Sequence, residues 1–190
     1  MKTIKQADRR GLTFTELMIS LAIFGVIMIV IFGFLSGARN SYSETRERAQ
    51  YQQSMRAVMS LITREVRSAG CDPTEIGFDR LAVADAGRLQ CRMDLNGDND
   101  FADISPDENI SYTFAGGNLT RNNGTGNQVI LRGVQAFTFT YFDDVGNELA
   151  AVPLSAANRA LVRFVGINIQ GLTDRGEPVT YTTRIALRNG

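Results

Sequence analysis

Residues 17–35 read LMISLAIFGVIMIVIFGFL, an uncharged run of 19 residues in which Ser20 is the only conventional polar side chain. As an α-helix this run spans about 28 Å, close to the roughly 30 Å hydrocarbon core of a bilayer. The preceding residues 1–11 carry four basic side chains and one acidic side chain. This excess of positive charge predicts a cytoplasmic N-terminus, with the chain after residue 36 on the other side of the membrane.

Two simpler membrane signals fit this run less well, one because of its length and the other because of Glu16. A secretory signal peptide, cleaved near Ser36 or Ala38, normally has an apolar run of only about 7–15 residues. A plain single-pass anchor leaves Glu16 unexplained, because a carboxylate in lipid costs several kcal/mol unless it has a partner or a function. The sequence shows no partner for Glu16 within the chain. A signal that makes use of the glutamate is therefore favoured.

The string RRGLTFTELMISLAIFG at residues 9–25 resembles the class III signal of type IV prepilins and pseudopilins. The resemblance implies that a prepilin peptidase cleaves after Gly11 and methylates the new N-terminus at Leu12. Leu12 itself departs from the family pattern, in which phenylalanine is usual. Glu16 becomes the fifth residue of the mature chain, and in the family this glutamate attracts the terminal amine of the adjacent subunit during assembly.

The helix is predicted to continue beyond the membrane segment to Ala69. Residues 41–69 contain no proline or glycine, and apolar residues recur at the three-and-four spacing of one buried helical face. This apolar face consists of Tyr51, Met55, Val58, Met59, Ile62, Val66 and Ala69. The charged residues between them, including Glu65, are expected to stay in water. Gly70, followed by Pro73, predicts the end of the helix.

After Gly70 the sequence changes to alternating apolar and polar residues, which is typical of β-strands. The alternating segments lie at 129–131, 137–141, 165–169 and 179–187. Turn sequences separate the segments, at 116–118, 122–124, 145–147 and 174–176. An antiparallel meander of this kind needs a cover for its apolar face, and the striped half of the helix can supply it. We therefore predict an α+β fold, in which a long N-terminal transmembrane and amphipathic helix packs on an antiparallel β-sheet domain.

These patterns divide the chain into four segments. Residues 1–11 are the leader peptide, and residues 12–35 are the transmembrane and filament-core helix. Residues 36–69 are the amphipathic half of the helix, and residues 70–190 are a periplasmic antiparallel β domain. The type IV pilin fold, which the resemblance implies, has this architecture.

Three further strings resemble PilW-type minor pilins and the related J-type minor pseudopilins. The strings are REVRSAGCDP at 64–73, DLNGDND at 94–100 and QAFTFTYFD at 135–143. The resemblance implies a minor pilin that primes assembly of a type IV pilus and caps it, or a minor pseudopilin of a type II secretion system. The implied location is the inner membrane and then the filament or its tip. The implied partners are other minor pilins or pseudopilins, the major pilin, the prepilin peptidase and the inner-membrane assembly platform.

The composition argues against several classes of function. The chain has no histidine, which excludes Ser-His-Asp triads, His-ligated zinc and histidine acid–base catalysis. The sequence also shows no glycine-rich loop for phosphate. A formal net charge of zero gives no reason to expect nucleic-acid binding. A structural, non-enzymatic role is therefore predicted.

Cys71 and Cys91 are the only two cysteines, and both lie in the segment assigned to the periplasm. An oxidising compartment favours a disulfide between them, which would tie the end of the helix to the strand that follows. Closing a loop of about 20 residues contributes roughly 3 kcal/mol on the chain-entropy model. The alternative is two free or separately buried thiols.

Oxygen-bearing side chains alternate along an acidic run near the middle of the chain. They are Asp94, Asn96, Asp98 and Asp100, with Asp103 and Glu108 nearby. The run resembles the D-x-N-x-D start of a calcium-binding EF-hand loop. Asn99, however, replaces the turn glycine of that loop, and Ser105 replaces its bidentate glutamate. Calcium and a solvated acidic hairpin loop are the two hypotheses. The first also allows a third function, a membrane-tethered, calcium-dependent binding module that does not polymerise.

Overall fold

The computed structural model describes residues 13–173 and 176–188. The predicted leader 1–11, its cleavage position at Gly11 and the methylation position Leu12 lie outside the described residues. Residues 174 and 175 of the predicted turn at 174–176 also lie outside them. The elements are α1 (Phe14–Ser68), β1 (Leu81–Ala84), β2 (Arg88–Arg92), β3 (Asn109–Ala115), β4 (Asn118–Asn122), β5 (Asn127–Leu131), β6 (Val134–Phe142), α2 (Ala156–Leu161), β7 (Phe164–Leu172) and β8 (Pro178–Ala186).

Helix α1 ends within one residue of the predicted position. Gly70 has a φ angle of +78°, the left-handed conformation that glycine adopts readily after a helix. The Gly70 N–H donates to the carbonyl of Arg92 at 2.9 Å, and the Cys71 N–H donates to the carbonyl of Ser68 at 3.0 Å. The end of the helix is thereby attached to the end of β2.

The strands form two antiparallel sheets. Strands β1 to β5 make a five-stranded sheet in chain order, and β6 to β8 make a three-stranded sheet in chain order. The antiparallel, sequential pairing was predicted, whereas the bounds of β1 to β4 and the division into two sheets were not. The division occurs at Gly133, which has a φ angle of +70°. Its carbonyl accepts a hydrogen bond of 3.0 Å from Leu172 N in β7, so from this point the chain pairs with β7.

The chain contains two compact units, Met1–Thr45 and Arg46–Gly190. In the second unit the striped face of α1 packs with both sheets in one hydrophobic core. The helical members of this core are Met55, Val58, Met59, Ile62 and Val66, followed by Ala69. Tyr51 is half-buried against the same core. The predicted buried face and the α+β fold class, that of type IV pilins, are therefore confirmed.

One charged residue on the helix contradicts the expectation from sequence. Glu65 was expected to stay in water, but only 9% of its surface is exposed. It lies three residues after Ile62 and one before Val66, and therefore on the buried face itself. A carboxylate at this position needs a partner from the sheet domain.

Candidate functional site

Thr13 and Glu16 form the N-terminal cap of α1. The Thr13 N–H and the Thr13 hydroxyl each donate to Glu16 Oε2 at 2.9 Å. The Glu16 N–H in turn donates to Thr13 Oγ1 at 3.4 Å. This reciprocal arrangement is a capping box, which satisfies N–H groups that have no partner within the helix.

The capping box corrects the expectation that Glu16 has no partner in its own chain. Residues 13–16 read TFTE, and the Thr-x-x-Glu spacing was a signal that sequence reasoning did not use. The bonds from Thr13 use only Oε2 of Glu16. Among the described residues, the other carboxylate oxygen accepts no hydrogen bond, and the whole side chain is exposed. Glu16 can therefore cap its own helix and bind an external cation at the same time.

The apolar part of α1 is exposed along its length. Phe14, Ile29 and Phe34 expose 75%, 74% and 77% of their surface. The segment is long and apolar enough to cross a membrane, by length and composition. A continuous apolar surface of this size needs lipid or another apolar surface to cover it.

The acidic run lies in the loop between β2 and β3. Asp94 is fully buried, and its two oxygens accept hydrogen bonds from Gly97 N at 2.5 Å and from the Thr74 hydroxyl at 3.2 Å. The Asn96 amide donates to Asp103 at 2.7 Å and to Asp98 at 3.0 Å. All five residues predicted as calcium ligands thus take part in hydrogen bonds that shape the loop, because Asp98 also accepts from Asp100 N at 3.2 Å and Asp100 accepts from Ala102 N at 2.8 Å.

Two of the predicted ligands, Asp98 and Asp100, also approach a residue from outside the run. Asp98, Asp100 and Glu108 each place one carboxylate oxygen within 4.8 Å of those of the other two. Glu108 immediately precedes β3, and its backbone N–H donates to the Asp103 carbonyl at 3.1 Å. The sequence placed Glu108 only near the run, because its spacing from Asp94 does not match an EF-hand loop.

Cys71 and Cys91 are free thiols in the structure, so the predicted disulfide is not observed. Cys91 is fully buried in β2, whereas Cys71 is half-buried against the core. Burial, with a smaller contribution from the nearby Glu65 carboxylate, raises the pKa of Cys91 well above its usual range. Cys91 is therefore protonated at neutral pH. The disulfide between Cys71 and Cys91 stays a prediction for the oxidised protein.

The partner of Glu65 is Arg121, a residue that sequence reasoning did not select. Arg121 Nη2 lies 2.8 Å from Glu65 Oε1 and 2.5 Å from Asp107 Oδ2. The Tyr112 hydroxyl also donates to Glu65. Tyr112 on β3 and Arg121 on β4 are directly opposite each other, so the sheet register places both side chains under the helix.

The pKa values in this cluster follow from burial and from the hydrogen bonds. Burial raises the pKa of Tyr112, and the adjacent Glu65 raises it further, so the phenol remains a donor. Burial opposes the charge on Arg121, but the bonds to Glu65 and Asp107 raise the pKa of Arg121 overall. The cluster is therefore a fixed charge network that connects α1 to the five-stranded sheet. Its position under the helix identifies it as structural.

Comparison with known proteins bears on the N-terminal segment. Residues 6–36 match the model of the prokaryotic N-terminal methylation motif. The matched range includes Gly11, Leu12 and Glu16, together with the beginning of α1. No curated protein matches the chain significantly. The methylation motif, followed by the exposed apolar helix, shows that the chain carries the prepilin signal of a type IV pilin-like or pseudopilin protein.

Proposed function

We propose that this protein is a minor pilin, a structural subunit that primes assembly of a type IV pilus and caps it together with other minor pilins. The observation that carries the proposal is the position of Glu16. It lies within the methylation motif, at the first turn of an exposed apolar helix, and one of its carboxylate oxygens accepts no hydrogen bond from the described residues. A structural role of this kind needs no catalytic residues.

The exposed helix supplies both an anchor and an assembly surface. Before assembly, the apolar segment lies in the inner membrane with the basic residues 1–11 in the cytoplasm and the β domain in the periplasm. In the filament, the same surface packs against the apolar helices of other subunits. Exchanging lipid for protein keeps the segment out of water throughout, so the transfer carries no large hydrophobic cost.

Glu16 sets the position of the subunit relative to its neighbour during this transfer from membrane to filament. After cleavage behind Gly11, the terminal amine belongs to Leu12. In an apolar environment, a carboxylate and an amine of adjacent subunits attract strongly, and separating them leaves a buried charge unpaired. The open oxygen of Glu16 can accept the amine of a neighbour without loss of the cap to Thr13.

The test separates the charge of Glu16 from its capping role. Glu16→Gln retains a capping side chain but removes the charge, since glutamine also occupies this position of a capping box. We expect normal membrane insertion and loss of incorporation into pili, measured by immunoblots of sheared pili and membranes. Thr13→Val is the matched control, because it removes the capping hydroxyl and keeps the carboxylate. Incorporation of Glu16→Gln at the wild-type level would show that Glu16 is only a helix cap.

Processing provides an independent test. Mass spectrometry of the mature protein should find N-methylated Leu12 as the first residue, and a strain without prepilin peptidase should retain residues 1–11. A mature N-terminus at Arg39 would instead identify a secretory signal peptide and contradict the proposal.

A second candidate function is a minor pseudopilin of a type II secretion system, since the methylation motif is common to both classes. Deletion of the gene distinguishes them. Loss of surface pili with normal exoprotein secretion supports the minor pilin, and the reverse result supports the pseudopilin. A non-polymerising calcium-dependent module is the third candidate, and for it Glu16→Gln would leave the binding function unchanged.

A further inference from the structure

We infer that the loop between β2 and β3 binds one calcium ion through Asp98, Asp100 and Glu108. Each of the three residues places a carboxylate oxygen within 4.8 Å of those of the other two. Oxygens on opposite sides of a calcium ion are about 5 Å apart, because calcium–oxygen distances are about 2.3–2.6 Å. The three oxygens therefore fit around one ion of this size.

Glu108 supplies the second, independent observation. Its side chain is fully buried, and its Oε1 accepts hydrogen bonds from Leu95 N at 2.8 Å and from Asn96 N at 3.3 Å. Its Oε2 is buried too, and it has no hydrogen-bond partner among the described residues. A buried carboxylate oxygen without a partner is costly, and a cation in the group with Asp98 and Asp100 removes that cost.

The charge around the site also points to a cation. In the described part of the chain, the ion pairs of Arg121 and Arg159 are made with carboxylates outside this group. Three carboxylates so close together repel one another when no positive charge is present. Oxygen ligands of this kind prefer calcium or magnesium to softer metals. Magnesium requires near-octahedral geometry at shorter distances and retains more of its water, so the loop favours calcium.

The structure resolves the two mismatches with an EF-hand loop. Asn99 stands at the position of the turn glycine, and it adopts a φ angle of +78°. Asparagine tolerates this left-handed conformation better than most residues. The glutamate that is missing at Ser105 is replaced by Glu108, which folds back to the loop from the beginning of β3. These features show how the loop closes. The inference itself rests on Glu108 Oε2, which has no hydrogen-bond partner among the described residues.

Calcium would stabilise the junction between the loop and the segment after α1. Asp94, the first residue of the acidic run, accepts a hydrogen bond from the Thr74 hydroxyl at 3.2 Å. Its backbone N–H donates to the Cys71 carbonyl at 2.7 Å. An ion that fixes the loop therefore also fixes the chain just beyond the helix, and it should raise the thermal stability of the domain. Three protein carboxylates predict an affinity on the order of 10⁻⁴–10⁻³ M, the range of extracellular calcium modules.

The experiment is thermal unfolding and calorimetry of the full chain in detergent, with calcium chloride, magnesium chloride or a chelator. We expect calcium at about 5 mM to raise Tm by several degrees, with a smaller effect of magnesium. Asp98→Asn and Asp100→Asn should each lower the calcium affinity by about tenfold or more. Both residues are exposed, so the variants should fold normally in the chelator. Asp144→Asn, an exposed exchange outside the loop, is the matched control.

Glu108→Gln tests the buried ligand itself. It keeps one oxygen for Leu95 N and Asn96 N but removes the charge, so the calcium-dependent rise in Tm should disappear. Three results would overturn the inference. These are no heat and no change in Tm at millimolar calcium, an equal response to magnesium, or a calcium response that Asp98→Asn and Asp100→Asn leave unchanged.

Discussion

Glu65 and Arg121 show how a single buried charge constrains this fold. Their side chains are 11% and 9% exposed, and the ion pair is completed by a hydrogen bond from Tyr112. A pair of this kind contributes little compared with apolar residues of the same volume, but the loss of one partner is costly. The network is therefore expected to affect stability mainly when one of its partners is removed.

Arg121→Ala should lower the free energy of unfolding by about 3–5 kcal/mol, because it leaves the Glu65 carboxylate buried without a counter-charge. Glu65→Ala should cost less, since Arg121 keeps Asp107 as a partner. Chemical unfolding of both variants and of the double variant, followed by circular dichroism, measures the coupling. Additive effects would show that the ion pair is not energetically coupled.

Asp107 gives the domain a dependence on acid pH. It is partly buried, which opposes its charge, but the bonds from Asn123 and Arg121 lower the pKa of Asp107 overall. A carboxyl group whose pKa is lower in the folded state stabilises the fold above its unfolded-state pKa of about 3.9. This contribution is lost as the pH falls from about 4 through the lower, folded-state pKa.

The stability of Asp107→Asn should consequently fall less steeply between about pH 4 and pH 2 than that of the wild type. Thermal unfolding as a function of pH measures the difference. Asp144→Asn is again the control, because Asp144 is exposed. Identical slopes for wild type and Asp107→Asn would contradict the assigned role.

At the scale of elements, Tyr51 of α1 packs against β7 in the space that the absent side chain of Gly171 leaves open. Its hydroxyl donates to the carbonyls of Arg132 and Gly133 at 3.1 Å and 3.0 Å. A Cβ atom at Gly171 would lie 2.0 Å from that hydroxyl oxygen and 2.8 Å from two ring carbons. Glycine is therefore required at position 171 for Tyr51 to lie across the strand.

Gly171→Ala should destabilise the domain by about 1–3 kcal/mol, the range of overpacking substitutions. In a Tyr51→Ala background the same change should cost much less, because the clash is removed. Gly87→Ala is the control, since its Cβ would meet nothing closer than the Phe114 carbonyl at 3.9 Å. An equal cost of Gly171→Ala in both backgrounds would contradict the packing argument.

Cys71 and Cys91 lie at the junction of α1 with β2. At this junction the Gly70 N–H donates to the carbonyl of Arg92, the neighbour of Cys91. In protein isolated from the periplasm without reductant, we expect a Cys71–Cys91 disulfide, detected as one cross-linked peptide by mass spectrometry. Reduction or Cys71→Ser should lower the free energy of unfolding by roughly 3 kcal/mol. Recovery of two alkylatable thiols from denatured, unreduced protein would support the alternative of free thiols.

At the scale of the whole molecule, the proposed function places the two ends of the chain on opposite sides of one membrane, because the basic residues 1–11 favour the cytoplasm. Trypsin added to spheroplasts should degrade the β domain, whereas inverted inner-membrane vesicles should protect it. Alkaline carbonate should not extract the protein from the membrane. Protection of the domain in spheroplasts would reverse the topology that residues 1–11 predict.

The sequence alone predicted the features that depend on neighbouring residues. The apolar run at 17–35, the prepilin string, and the buried stripe from Met55 to Ala69 are periodic or contiguous, so local pattern is sufficient to identify them. Gly70 and Pro73 likewise predicted the end of α1, because helix termination is a local property. The α+β class followed from the change of period after the helix.

Only the tertiary structure decided which distant residues meet. Glu65 is buried because strand register brings Tyr112 and Arg121 under the helix, and no local pattern encodes that register. Glu108 joins Asp98 and Asp100 because the loop closes where β3 begins, and the two sheets separate where Gly133 bonds to Leu172. Such contacts form between residues far apart in the chain. The sequence therefore determined the long helix and its signal, and packing determined the charge network and the acidic site beyond it.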